Sequence, residues 1–139
     1  MARPAGIQPT DGELEILNLL WDAGPLELGQ LCAALRGERP LATTTVATML
    51  KVMLEKGIVA RAQGPRGYRW SAKLSRRAAQ KRLVKRLLDR AFEGSAGLLV
   101  SHLIDDGKLT PAERQQIMAL LAEAQQRGSG EANRREDAP

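Results

Sequence analysis

The 139 residues suit one small domain, or a domain with a short helical appendage. With 43% hydrophobic content but only one Phe, one Tyr and two Trp, the core must be aliphatic. No apolar run approaches the roughly 18 residues that cross a bilayer, the first residues lack the apolar stretch of a secretion signal, and Cys32 as the single cysteine excludes an internal disulfide or a multi-thiolate metal site. A cytoplasmic protein with no membrane contact and no cofactor is expected. The net charge of +5 is uneven: residues 1–40 carry three Arg against six acids (net −3), residues 41–93 carry 13 Lys or Arg against three acids (net +10), and residues 94–139 carry five against seven (net −2). Such a block points to a polyanionic partner such as nucleic acid, while a solvated Arg-rich helix accounts for part of residues 76–90.

In chain order, Thr10-Asp11-Gly12-Glu13 is a capping box that starts a helix. Leu14, Ile16, Leu17, Leu20 and Trp21 form its apolar face, and Ala23-Gly24-Pro25 stops it. Residues 26–28 allow no more than a β-bridge. A second helix follows over Gly29 to Leu35 with Leu31, Ala34 and Leu35 inward, and Gly37 to Pro40 turns the chain. The third helix, Thr43 to Lys56, has apolar residues at 46, 49, 50, 53 and 54, the spacing of one buried stripe, and Gly57 ends it. Ile58 to Arg61 and Tyr68 to Ser71 read as two strands joined by Gln63-Gly64-Pro65-Arg66-Gly67, a β-hairpin with a basic tip. Three helices followed by a hairpin is the order of a winged helix-turn-helix.

Ser75 caps a long helix to about Phe92 with a stripe of Leu83, Val84, Leu87, Leu88 and Ala91. Gly94-Ser95 separates it from a shorter helix carrying Leu98, Leu99, Val100, Leu103 and Ile104. Thr110-Pro111-Ala112-Glu113 is a second capping box, and the helix behind it presents Ile117, Leu120, Leu121 and Ala124. The polar residues from 128 onward read as a disordered tail. The expected organisation is mainly α: a winged helix-turn-helix over 1–73, a helical segment over 74–127, and a tail over 128–139.

On a helical wheel of the third helix, Thr44, Thr45, Thr48, Lys51 and Glu55 lie opposite the apolar stripe. Helix-turn-helix proteins present that face to the major groove. A threonine there offers a hydroxyl to phosphates or base edges and a methyl to the thymine methyl. Taken singly, Thr43 reads as a cap and each other threonine as a surface residue. Four of them beside a basic hairpin and a net +10 block favour DNA contact. Arg66 at the hairpin tip and Arg61 and Arg69 on its strands are candidates for phosphate or minor-groove contact.

The stretches "TDGELEILNLLWDAG" and "LATTTVATMLKVMLEKGIVARAQGPRGYRWSA" resemble the penicillinase repressor family (BlaI/MecI type), and the likeness runs from about Ile7 to Leu121. The resemblance implies a homodimeric winged-helix repressor on an inverted-repeat operator of double-stranded DNA. It implies recognition-helix contacts at Thr43, Thr44, Thr45, Thr48 and Lys51 and a wing contact at Arg66. It also implies that the C-terminal helices interlock two chains, which would employ Leu83, Leu87, Leu88, Leu99, Leu103, Ile117, Leu120 and Leu121. That agrees with a helical segment whose many apolar faces can hardly be buried within one chain.

Two departures from the family pattern matter. Some members are switched off by a regulatory protease at an Asn-Phe bond in the fifth helix, where this chain offers Ser101-His102 or His102-Leu103. Copper-responsive members carry a C-terminal cysteine cluster, and Arg127 to Pro139 has no cysteine, which excludes metal sensing by that route.

An enzyme is the rival least supported. His102 and Cys32 are the only histidine and thiol and fall in different segments, and no Gly-rich phosphate loop is present. Cys32 reads as a small core residue and His102 as part of an interface. The remaining alternatives keep the fold and change the partner: a protein-interaction module, or a nonspecific nucleic-acid binder.

Overall fold

The computed structural model describes residues 8–35 and 41–136, with side chains to residue 130. The elements are α1 (Asp11–Ala23), β1 (Leu26–Glu27), α2 (Leu28–Leu35), α3 (Thr43–Lys56), β2 (Val59–Gly64), β3 (Gly67–Ala72), α4 (Arg76–Ala91), α5 (Ala96–Asp105) and α6 (Pro111–Glu136). The fold is mainly helical and follows the expected order of a winged helix-turn-helix. The turn expected over 37–40 lies outside the described residues.

The α1 capping box forms as its residues dictate. The Glu13 N–H donates to Thr10 Oγ1 at 3.2 Å, and the Thr10 N–H donates to Glu13 Oε1 at 2.9 Å. The same Glu13 oxygen accepts from Lys56 Nζ at 2.7 Å, which ties the start of α1 to the end of α3. Burial pushes the Glu13 carboxyl up, but the bond from Lys56, the two bonds with Thr10 and the Lys56 charge outweigh it, so its pKa lies below 4.5.

At the end of α3, Gly57 takes the left-handed conformation (φ 78°) that side chains resist. Its N–H donates to the Leu54 carbonyl and the Ile58 N–H to the Met53 carbonyl, both at 3.1 Å, the paired bonds of a Schellman motif. The chain therefore turns sharply from α3 into the hairpin. Ile58 anchors the hairpin base, its carbonyl accepting from Lys73 and Leu74 at 2.9 and 3.1 Å.

The sheet order is β1-β3-β2, antiparallel throughout. The expected bridge at 26–28 is a two-residue strand pairing Leu26 with Trp70 and Glu27 with Arg69. Ile16, Leu17, Leu31, Val46, Leu50 and Met53 have no exposed surface, and Ile58, Val59 and Trp70 close the core from the hairpin side. Each such aliphatic side chain contributes roughly 1.5–3 kcal/mol by leaving water. In α2 the inward residues are Leu31, Cys32 and Leu35; Ala34 is exposed, a correction to the expected pattern. Over eight residues the stripe is too short to decide between neighbours, and the larger, more apolar set turns inward. Trp21 Nε1 donates to the Leu74 carbonyl at 2.9 Å, fixing the chain after the hairpin against α1.

The chain divides into two compact units, one ending at Leu87 and the other beginning at Leu88. The division falls inside α4, and Leu74 and Ala79 belong to the core of the first unit. Helix α6 runs to Glu136, through the stretch from 128 that reads as a tail in sequence. From Gln80 to Gly130 no described residue is buried.

Candidate nucleic-acid interface

Helix α3 turns Val46, Leu50 and Met53 into the core, and Met49 and Leu54 pack against it. Thr43, Thr44, Thr45, Thr48 and Lys51 are all exposed. The N-cap is Ala42, which makes no side-chain cap bond, so Thr43 opens the helix and is not its cap. Thr44, Thr48, Lys51 and Glu55 follow one another at spacings of four, three and four along one stripe. The Thr48 hydroxyl donates to the Thr44 carbonyl at 2.8 Å. Its proton is engaged within the helix, leaving the oxygen lone pairs and the methyl facing outward. Val52, one turn beyond Thr48 and 40% exposed, belongs to the same surface. Its position off the apolar stripe was the available signal for it.

The register of the hairpin decides where its cations point. Arg61 lies opposite Trp70 and Gln63 opposite Tyr68, whereas Ala62 lies opposite Arg69. Cross-strand partners share a face. Arg61, Gln63, Tyr68 and Trp70 therefore share the side that, nearer the base, carries buried Val59. Arg69 is on the other side, its guanidinium 3.4 Å from the Pro25 carbonyl and its stem against Gly64, where a Cβ would stand 2.8 Å from Arg69 Cγ. Arg66 sits at the tip, before Gly67 with φ 110°. The Arg61 guanidinium lies 4.1 Å from the centre of the Tyr68 ring and 5.7 Å from that of Trp70, and the two rings meet edge to face at 6.2 Å.

A groove of about 1010 Å³ opens between α3 and the hairpin. Ala47, Lys51 and Glu55 line one wall and Arg61, Arg66 and Tyr68 the other, with the start of α2 at one end. The structure thus brings Lys51 and Arg66 together, adds Arg61, and places Arg69 on the opposite side of the hairpin, outside this groove. Tyr68, 43% exposed, was missed altogether in sequence; alternation with Trp70 on one strand was its only signal.

In the second unit and the end of α4, Leu83, Leu88, Leu99, Leu103 and Ile117 are half-buried. Leu87, Leu120 and Leu121 are 44%, 53% and 64% exposed. His102 is exposed on α5 with its ring edge to face with Phe92 at 5.6 Å, and Cys32 is buried in the first unit. Among the described residues no three His, Cys, Asp or Glu side chains gather to hold a metal, and no helix is long and apolar enough to cross a membrane.

A three-helix unit carrying a sheet-backed hairpin, with a hydroxyl-rich helix face and three cations around one groove, defines a winged-helix nucleic-acid-binding protein. The penicillinase repressor family model matches residues 9–123, and the chain belongs to that family. It is accordingly a DNA-binding transcriptional repressor and not an enzyme. Similar solved structures include a transcriptional regulator of Thermotoga maritima (21% identity, 90% of this chain and 78% of that one, TM-score 0.45). A MarR family regulator of Silicibacter pomeroyi (20%, 81% and 65%, TM-score 0.42) and a MarR family protein of Bacillus stearothermophilus (19%, 86% and 75%, TM-score 0.44) are others. No curated protein matches the chain.

Proposed function

We propose that the chain represses transcription as a homodimer on an inverted-repeat operator, with α3 of each copy in the major groove and each hairpin tip in the flanking minor groove. Thr43, Thr44, Thr45, Thr48 and Lys51 provide the major-groove surface and Arg66 the wing contact. Arg69 stiffens the hairpin through Pro25. The observation that carries the reading is the division of α3 into a sealed Met and Leu side and an open threonine side. The dimer is supported by the absence of any buried residue between Gln80 and Gly130 among those described, alongside Leu87, Leu120 and Leu121 on the surface. A monomer would leave these side chains in water, and a second copy offers them a matching face.

Relief of repression by cutting α5 at Ser101-His102 or His102-Leu103 belongs to the same proposal. Both Ser101 and His102 are exposed but helical, so a protease needs α5 to open locally first. The test is selection of duplexes from a random pool by the full chain. The selected duplexes should carry inverted repeats whose half-sites are centred about 34 Å apart or a multiple of it, bound by two copies. Enrichment of no sequence would identify a nonspecific binder, and enrichment of single half-sites bound by one copy would remove the dimer.

A further inference from the structure

Resting on the assignment of α3 to the major groove, duplex geometry gives the groove beside it an occupant. A duplex that receives α3 in its major groove and the hairpin tip in the neighbouring minor groove must thread the sugar–phosphate strand dividing those grooves between the two elements. The groove between Lys51 of α3 and Arg61 and Arg66 of the hairpin lies there. Glu27 and Glu55 also line it, so a phosphate strand entering it meets repulsion unless a cation is held in place against them.

Arg61 is the cation held in place. Its guanidinium is stacked 4.1 Å from the centre of the Tyr68 ring, with the Trp70 ring at 5.7 Å, while Trp70 itself is anchored in the core. Stacking occupies the flat face of a guanidinium and leaves its N–H edge free to donate to oxygen. The two-stranded pairing of Arg61 with Trp70 and of Gln63 with Tyr68 sets Arg61 and Tyr68 as diagonal neighbours on the groove side of the sheet. We propose that Arg61 binds the backbone phosphate that passes between α3 and the hairpin, and that Tyr68 is its positioning residue.

The test is equilibrium binding of the full chain to a random-sequence duplex and to a duplex recovered by selection, each followed from 50 to 200 mM salt. Arg61→Gln is expected to weaken both by about tenfold and to reduce the slope of log affinity against log salt by about 0.9, the release of one phosphate contact. Tyr68→Ala is expected to weaken both about two- to fivefold with an unchanged melting temperature, and Tyr68→Phe, which keeps the stacking face, to restore wild-type binding. Lys73→Gln, an exposed cation outside the groove, is expected to leave the slope as it is. An unchanged slope in Arg61→Gln, or an equal fall in Lys73→Gln, overturns the assignment of Arg61; wild-type binding by Tyr68→Ala overturns the positioning role. Failure of the operator reading would look different: wild-type protein would bind the selected and random duplexes alike.

Discussion

Replacing Thr48 by Val isolates one oxygen atom in the interface. The Thr48 hydroxyl donates to the Thr44 carbonyl at 2.8 Å, so the oxygen can only accept a further hydrogen bond. Phosphate oxygens and the N7 and O6 atoms of guanine are themselves acceptors and gain nothing from it. The donors in the major groove are the amino groups of adenine and cytosine. Val keeps the shape and the methyl on an exposed helix face, so folding stability should change by no more than about 0.5 kcal/mol. Loss of one neutral hydrogen bond costs about 1 kcal/mol, which is about fivefold in Kd. The loss should be confined to a base pair offering adenine or cytosine to that face. The assay measures Kd for wild type and Thr48→Val on duplexes in which each half-site position is substituted in turn. Thr48→Ser, which keeps the oxygen and drops the methyl, should lose discrimination at a thymine instead. A uniform loss over all positions in Thr48→Val, or no loss at any of them, would refute the reasoning.

Glu13→Gln should destabilise the fold by about 2 kcal/mol at neutral pH, since it leaves Lys56 without its partner at a largely buried site. Because the folded pKa of Glu13 lies below 4.5, its stabilisation is complete above that pH and is lost as pH falls through the folded value. The gap in urea midpoint between wild type and Glu13→Gln should therefore close below pH 4.5, and a constant gap would count against the assignment. Trp21→Phe removes the bond to the Leu74 carbonyl and should cost about 1 kcal/mol in urea unfolding. Gly57→Ala should cost a similar amount, about 1 kcal/mol, through its φ of 78°. A double change, Leu120→Glu with Leu121→Glu, should convert a dimer into a monomer in sedimentation while leaving the first unit folded, and a persistent dimer would place the interface elsewhere.

What could be read from sequence was local. Thr10 and Glu13 announce their helix because both partners of the capping box lie within one turn. The α3 stripe and Gly57 are equally local, and they locate the candidate surface. What escaped depends on residues distant in the chain. Lys56 reaches Glu13 across the whole three-helix core, and nothing near either residue names the other. Arg61 and Arg69 look alike as strand cations until the pairing of 61 with 70 and 62 with 69 sets their parity, which sends one into the groove and the other to Pro25. The same holds for the end of the first unit: Ala79 is an unremarkable helix residue by composition, yet it is fully buried and carries the core past Leu74 into α4.

The claim that the open side of α3 reads bases is tested most directly by the ratio of affinities for a selected duplex and its scrambled counterpart at equal salt, measured for wild type and for Thr44→Ala combined with Thr48→Ala. The wild-type ratio should be about 10³ or more, falling by an order of magnitude or more in the double variant while binding to scrambled DNA holds. A wild-type ratio near one, or a double variant that discriminates as well as wild type, would contradict it.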